Sequence, residues 1–301
     1  ADTAPAMTVP STRLGARDLG VAALMNLMWG LNMIAVKVAV DQVEPLTAAL
    51  LRQLMVAAIC LTWLRIVPGR MTALIWLGVL TGGIFYIFIN LSLEAATNVS
   101  ALAIAGQLGV PFAMILAVLV LGERIRLYRA AGVALSFLGV VILVVDPRIG
   151  GELTAIALQV TASAVWAAAS LIQRRLAGVP ILTMYAWIGV LGAAVLFPVA
   201  AVAEPEAVRG IPDIPLSSLG WILFSAVGST LLGHGSMAWL LQRHPVSVVT
   251  PLTLAAPVLS IVFASAWFAT PLTPLMILGG IVTLTGIAIV TIRSARAGER
   301  A

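Results

Sequence analysis

The sequence predicts an all-α integral membrane protein of ten transmembrane helices, arranged as two inverted five-helix repeats. Three observations carry this. Charged residues are 10% of the 301 and apolar residues 61%, with a mean hydropathy of +1.10, whereas a soluble domain gives about a quarter of its residues to charge. Apolar side chains can cover the surface only if that surface faces lipid. Ten apolar stretches, each about 20 residues long and so able to cross the hydrocarbon core, fill nearly the whole chain. Finally, the second half repeats features of the first at fixed offsets.

The first span, 18–38, follows 17 polar, Pro- and Ala-rich residues with no apolar core ahead of a cleavage site, so no cleavable signal peptide is expected. A break from Asp41 to Pro45 leads into the second, 45–66, which ends before Pro68, Gly69 and Arg70. The third, 72–93, carries Gly78, Gly82 and Gly83, which permit close packing or bending. The fourth, 98–121, is interrupted by Pro111 just after Gly106 and Gly109, and such a break frees backbone groups that need a cavity, water or a neighbour. Gly122 to Arg126 separate it from the fifth, 127–146, and Asp146 to Gly151 separate that from the sixth, 152–173. Gly178 and Pro180 mark the start of the seventh, 180–203. The link 204–217 holds three prolines and three acids and reads as a surface loop with room for a short interfacial segment. The eighth, 216–241, carries Gly228, Gly233 and Gly235; the ninth, 246–268, is interrupted by Pro251 and Pro257; the tenth is 274–292. Runs this continuous are not outer-membrane strands, which alternate apolar and polar residues.

Arginine sets the orientation. Arg13, Arg17, Arg65, Arg70, Arg124, Arg126, Arg129, Arg174, Arg175, Arg243, Arg293, Arg296 and Arg300 fall on one set of alternating loops. Only Lys37, Arg148 and Arg209 lie near the other, where the acids collect. The expected organisation is a cytoplasmic tail 1–17, a first repeat 18–146, a second repeat 152–292 and a cytoplasmic tail 293–301, in the cell (inner) membrane. The same distribution accounts for the net charge of +5 without nucleic acid.

Trp29 to Lys37 and Trp166 to Arg174 share a spacing at an offset of 137. Ser100, Gly132 and Gly139 match Ser247, Gly279 and Gly286 at an offset of 147. Each repeat has an odd number of spans, so the second copy must insert upside down, a transporter architecture that places substrate near the midplane. Trp29, Gly30, Leu31 and Asn32, then Leu121, Gly122, Glu123 and Arg124 followed by Gly132 and Gly139, and Ala256, Pro257 and Val258 resemble the drug/metabolite transporter superfamily. The ten-helix EamA-type exporters fit best, with the YddG-type exporters of amino acids, aromatic ones included, as close relatives. The resemblance spans the whole chain and implies outward movement of small metabolites, amino acids first. Ala269, Thr270 and Pro271 stand where a second Gly-Glu-Arg would recur.

Polar side chains inside spans are costly in lipid and are the candidates for function. The expected substrate cavity is lined by Asn32, Tyr86, Asn90, Gln107, Ser163, Trp166, Ser170, His234, Trp239 and Thr253, with the fifth and tenth helices as scaffold or dimer-facing elements. Ser163, Trp166 and Ser170 share one helix face, as do Tyr86 and Asn90. The bland alternative is that these groups only bond neighbouring helices. Arg52, two turns inside the second span, is expected to reach outward to Asp41 or Glu44 as an ion pair, with attraction of carboxylates as its alternative role. Glu123 with Arg124 or Arg126 reads as a loop-stabilising pair.

No Asp or Glu lies near the middle of a span, which favours gradient-driven movement over proton coupling, for which only His234 could serve. The alternatives are a proton-coupled drug or metabolite exporter, a sugar-type carrier or, least favoured, a membrane enzyme. No catalytic constellation, cofactor or metal is expected: Cys60 is the only cysteine, and no phosphate-loop motif is present. The expected partners are a small-molecule substrate and the bilayer, with the protein a monomer or homodimer.

Overall fold

The computed structural model describes residues 14–122, 127–241, 243–244 and 246–298. Glu123, Arg124 and Arg126, with residues 1–13 and 299–301 of the two tails, lie outside these residues. Nine of the described helices are long and apolar enough to cross a membrane: α1 Ala16–Val40, α2 Pro45–Trp63, α3 Met71–Ala95, α4 Val99–Val120, α5 Leu127–Val144, α6 Leu153–Arg174, α7 Ile181–Ala203, α8 Leu216–Leu241 and, continuing to Gly298, α10 from Pro274. The remaining span, α9, comes in two pieces, Val246–Leu252 and Ala255–Phe268. The described residues contain no strand. The 204–217 link holds a short helix, Pro205–Arg209.

Irregular backbone falls at matching places in the two halves. The third helix of each half contains a π-helical stretch, Gly78–Ile84 in α3 and Ser225–His234 in α8. The fourth is broken in each: α4 tightens into a 3-10 turn at Gly106–Leu108, and α9 breaks at Thr253 and Leu254. Both breaks lie beside the prolines that cannot donate to the helix, Pro111 and Pro251. The ends of α4 and of α9 also correspond. Gly122 and Ala269, 147 apart, both take the left-handed conformation, at φ 66° and φ 51°, and there the alanine carries a Cβ penalty that the glycine avoids.

The fifth and tenth helices pack on each other. A Cβ on Gly132 would meet the Gly286 carbonyl at 2.9 Å, and one on Gly139 would meet the Gly279 carbonyl at 2.5 Å. The offset of 147 turns each of these contacts into the other, as a two-fold axis through the α5–α10 seam requires. Ser136 and Thr283 exchange hydroxyl-to-carbonyl hydrogen bonds between those glycines, at 3.5 and 3.4 Å. The α2 and α7 helices make the opposite seam. Gly82 in α3 stands against Ile188 and Gly192 of α7, and Gly189 against Ala57 of α2.

Acids on the arginine-poor side close helix starts. The Glu204 carboxylate accepts from the Leu46 and Thr47 amides at 2.9 and 2.8 Å, where α2 begins with free N–H groups and a positive dipole end. Asp146 accepts from the Thr273 hydroxyl ahead of α10 and from the Arg148 amide, and these bonds hold its carboxyl below the usual range.

Candidate functional site

A cavity of about 240 Å³ opens between α3, α4 and α6, at the level of the α4 break. Phe85, Gly106, Gln107, Gly109, Val110, Gln159, Ser163 and Trp166 line it. The break makes the site. Where α4 tightens, the Gly106 carbonyl accepts from the Gly109 amide of the 3-10 turn and also, across to α6, from Ser163 Oγ at 3.1 Å. A side chain at Gly106 would stand 2.7 Å from Gln159 Nε2, and one at Gly109 would stand 3.0 Å from the Trp166 ring, so the two glycines let α6 present its amide and indole. Trp166 is 42% exposed although it lies mid-span, so its ring is reachable. Gln107 donates to its own helix at Ala103, leaving its carbonyl oxygen without a partner among the described residues. An apolar box of Phe85 and Trp166 with two carboxamides suits an amphipathic solute, the aromatics for bulk and the amides for orientation.

Beside it lies a polar cluster made by α1, α2, α3, α7 and α8. Arg52 is 6% exposed. Its Nε donates to Ser225 Oγ and one terminal nitrogen to Thr230 Oγ1, both at 3.1 Å, and its guanidinium carbon lies 4.2 Å from the centre of the Tyr86 ring. Ser225 donates onward to Asn32 Oδ1 at 2.8 Å. Below, His234 meets Trp29 edge-on with ring centres 5.1 Å apart and Tyr185 at 5.5 Å. Its Nδ1 sits 2.8 Å from the Ser229 carbonyl, which also accepts from the Trp29 indole at 3.3 Å. That carbonyl lies in the π-helical stretch of α8, whose wider turn is often found at functional sites. Phe85 and Tyr86, 5.1 Å apart edge to face, join the cluster to the cavity.

The expected outward ion pair of Arg52 does not form. Asp41 is taken by Lys37, four residues before it, at 2.7 Å, and Arg52 turns inward to hydroxyls instead. An uncompensated charge at the centre of a span costs about 2.5–3.5 kcal/mol on insertion scales, so two hydroxyls and an aromatic face offset only part of it.

The structure thus places Gln107, Ser163 and Trp166 on the cavity and Asn32, Tyr86 and His234 in the adjoining cluster. Asn90 is buried and donates to the Tyr86 carbonyl of its own helix, and Ser170 donates to Ala167 of its own. Thr253 is half-buried at the α9 break. Trp239 lies at the arginine-rich end of α8, with the Arg243 and Arg17 guanidinium carbons 3.9 and 5.2 Å from its ring centre. Phe85, Gln159 and Tyr185 were not among the expected cavity residues. Gln159 carried a legible signal, an amide one turn before Ser163 on the same face.

Two carboxylate contacts tie helix ends together at opposite ends of the molecule. At the arginine-rich end, Asp18 in the first turn of α1 lies 3.2 Å from His244 Nε2 between α8 and α9. At the other end, Glu152 ahead of α6 accepts from the Thr97 and Asn98 amides between α3 and α4, at 3.1 and 3.2 Å, and from the Thr97 hydroxyl. These contacts correspond through the repeat. His244 is Thr97 shifted by 147, and Glu152 lies one turn before Ala155, the residue that the 137 offset assigns to Asp18.

A family model described as the EamA-like transporter family matches residues 19–145 and again 153–292. A protein of Escherichia coli (strain K12) named "Probable amino-acid metabolite efflux pump" is 23% identical over 281 residues, covering 91% of this chain and 94% of its own. A protein of Salmonella typhimurium with the same name is 24% identical, with the same coverage. An "Uncharacterized transporter" of Archaeoglobus fulgidus is 27% identical over 276 residues, covering 90% of this chain and 97% of its own. A crystal structure superimposes with a TM-score of 0.62 at 18% identity, covering 94% of this chain and 99% of that one, a likeness of fold.

Proposed function

The chain belongs to the EamA-like transporter family, and on that premise we propose that it exports amino acids and related small amphipathic metabolites, aromatic ones included, across the cell (inner) membrane by facilitated alternating access. Two relatives named as amino-acid metabolite efflux pumps support the substrate class and the direction. The observation that carries the reading is the cavity between Phe85 and Trp166, built by helices of both repeats at the level of the α4 break. An aromatic wall with carboxamides fits a solute that has an apolar side chain and a polar backbone. The arginine distribution supports cytoplasmic termini.

Alternating access needs the two ends to open in turn, and the Asp18–His244 and Glu152–Thr97 contacts are the pair that would part. Each ties the first helix of one repeat to the loop after the third helix of the other, so rocking one repeat against the other releases them one at a time. Facilitated movement follows from the lack of a carboxylate near the middle of any span.

The test is efflux from proteoliposomes loaded with a panel of amino acids, with and without a pH gradient. Efflux of aromatic and aliphatic amino acids above that of empty liposomes, without need of the gradient, is expected. Efflux only when a proton gradient is imposed would replace the facilitated reading with a proton-coupled one. No efflux of any amino acid would remove the substrate assignment.

A further inference from the structure

Arg52 is the one side chain in the polar cluster whose charge the described residues leave unmatched. It is 6% exposed and sits in the second turn of α2. Its partners, Ser225, Thr230 and the Tyr86 ring, are neutral. None of the acids on this side pairs with it among the described residues: Asp41 holds Lys37, Glu204 closes the start of α2, and Glu94 has Glu44, Glu204 and Lys37 as its charged neighbours. A guanidinium carries five N–H donors in a rigid plane, and hydroxyls take only two of them here. A buried cation held in place by neutral groups, with donors to spare, is arranged to receive an anion.

We propose that Arg52 binds a carboxylate of the transported solute through the unused side of its guanidinium fork. The surroundings narrow the class of ligand. Among the described residues Arg52 is the one permanent cation of the cluster, His234 being an imidazole packed on Trp29 and Tyr185 with its Nδ1 at the Ser229 carbonyl. One such cation matches a single negative charge, so a monocarboxylate fits where a phosphate ester or dicarboxylate would remain under-compensated. The planar fork matches the two oxygens of a carboxylate in a bidentate pair. Tyr86 fixes the plane of the fork from one face, and Ser225, itself held by Asn32, fixes its rotation. The Phe85–Tyr86 contact places this anchor beside the aromatic cavity, so the charged end and the apolar end of one solute can be held together. This deepens the reading of the protein as an amino acid exporter and rests on it for the solute. The carboxylate site itself can be read separately.

The experiment compares the wild type, Arg52→Gln and Arg52→Lys in two assays, after checking that each reaches the membrane and melts cooperatively. In proteoliposomes, transport of phenylalanine is compared with that of phenylalaninamide, which keeps the ring and amine but lacks the carboxylate. Arg52→Gln should lower kcat/KM for phenylalanine about tenfold or more, the worth of a charge-assisted pair, and leave the amide little changed. Arg52→Lys, keeping the charge but losing the fork, should fall between. In detergent, 3-phenylpropionate should raise Tm above the shift given by 3-phenylpropanamide, and Arg52→Gln should erase the difference. If no amino acid is transported yet the Arg52-dependent Tm shift by phenylpropionate remains, the amino acid reading fails and the carboxylate site stands. If the wild type gives equal Tm shifts with acid and amide, or if Arg52→Gln keeps the preference for the acid, the proposal is overturned.

Discussion

Replacing Gly139 by alanine should weaken the protein along the α5–α10 seam. The added Cβ would stand 2.1 Å from Thr283 Oγ1 and 2.5 Å from both the Gly279 carbonyl oxygen and the Thr283 nitrogen. Thr283 Oγ1 can rotate away, but the other two are backbone. Restoring them from 2.5 Å to an ordinary contact of 3.4 Å means parting the helices by roughly 0.9 Å, which also stretches the Ser136–Thr283 hydrogen bonds beyond use. Overpacking of this kind costs about 1–3 kcal/mol. At about 2–4 °C per kcal/mol for chains of a few hundred residues, Tm should fall by roughly 2–12 °C. The two-fold makes a sharper demand. Gly286 is the repeat equivalent of Gly139, and its Cβ would meet the Gly132 carbonyl and Ser136 Oγ, both at 2.5 Å, so Gly286→Ala should cost a similar amount. Gly220→Ala, with nothing within 4 Å, is the control and should be neutral or slightly stabilising, since alanine is the better helix former. The assay is thermal unfolding of the purified protein in one detergent. Unchanged Tm in both seam variants, or a loss at Gly220 as large as theirs, would refute the close inverted seam.

Trp166→Ala should raise KM for aromatic amino acids about two- to tenfold, from an aromatic contact worth about 0.5–1.5 kcal/mol, while glycine and alanine are little affected. Trp76→Ala, in an indole 54% exposed near a helix end, should leave both unchanged. Cysteine pairs at Asp18 with His244, and at Thr97 with Glu152, in a Cys60→Ser background, should each stop transport when cross-linked and restore it on reduction; full transport with either pair cross-linked contradicts its role in opening. Ala269→Gly should raise Tm, because glycine takes the left-handed conformation at φ 51° without the alanine penalty of about 1–2 kcal/mol; a fall in Tm would place the strain elsewhere.

The architecture was legible because lipid leaves strong marks on sequence. Apolar runs gave the spans, and the offset of 147 fell on Gly132, Gly139, Gly279 and Gly286, which the structure joins in one seam. Pro111 and Pro251 marked both broken helices, since proline removes a donor wherever it sits. The site was legible only in part. Ser163 and Trp166 were found from their helical spacing, but Phe85 offered no polar signal and Tyr185 stands close to the start of α7. The direction of Arg52 was hidden because its arm can swing either way from the second turn of α2. Acids a few residues off in sequence suggested the outward pose, whereas Ser225 and Thr230, 173 and 178 residues away, meet it through the fold. The π-helical stretches were equally hidden: glycine clusters predict a close approach or a bend, but not a widened turn.

The central claim is that this chain is a carrier whose cavity opens to one side at a time. Counterflow tests it most directly. Proteoliposomes preloaded with unlabelled phenylalanine and diluted into a trace of labelled phenylalanine, with no pH gradient, should accumulate label transiently above its equilibrium level, and His234→Gln should retain the overshoot. A channel would let label rise only to equilibrium, and a non-transporting scaffold would match empty liposomes; either result would contradict the account.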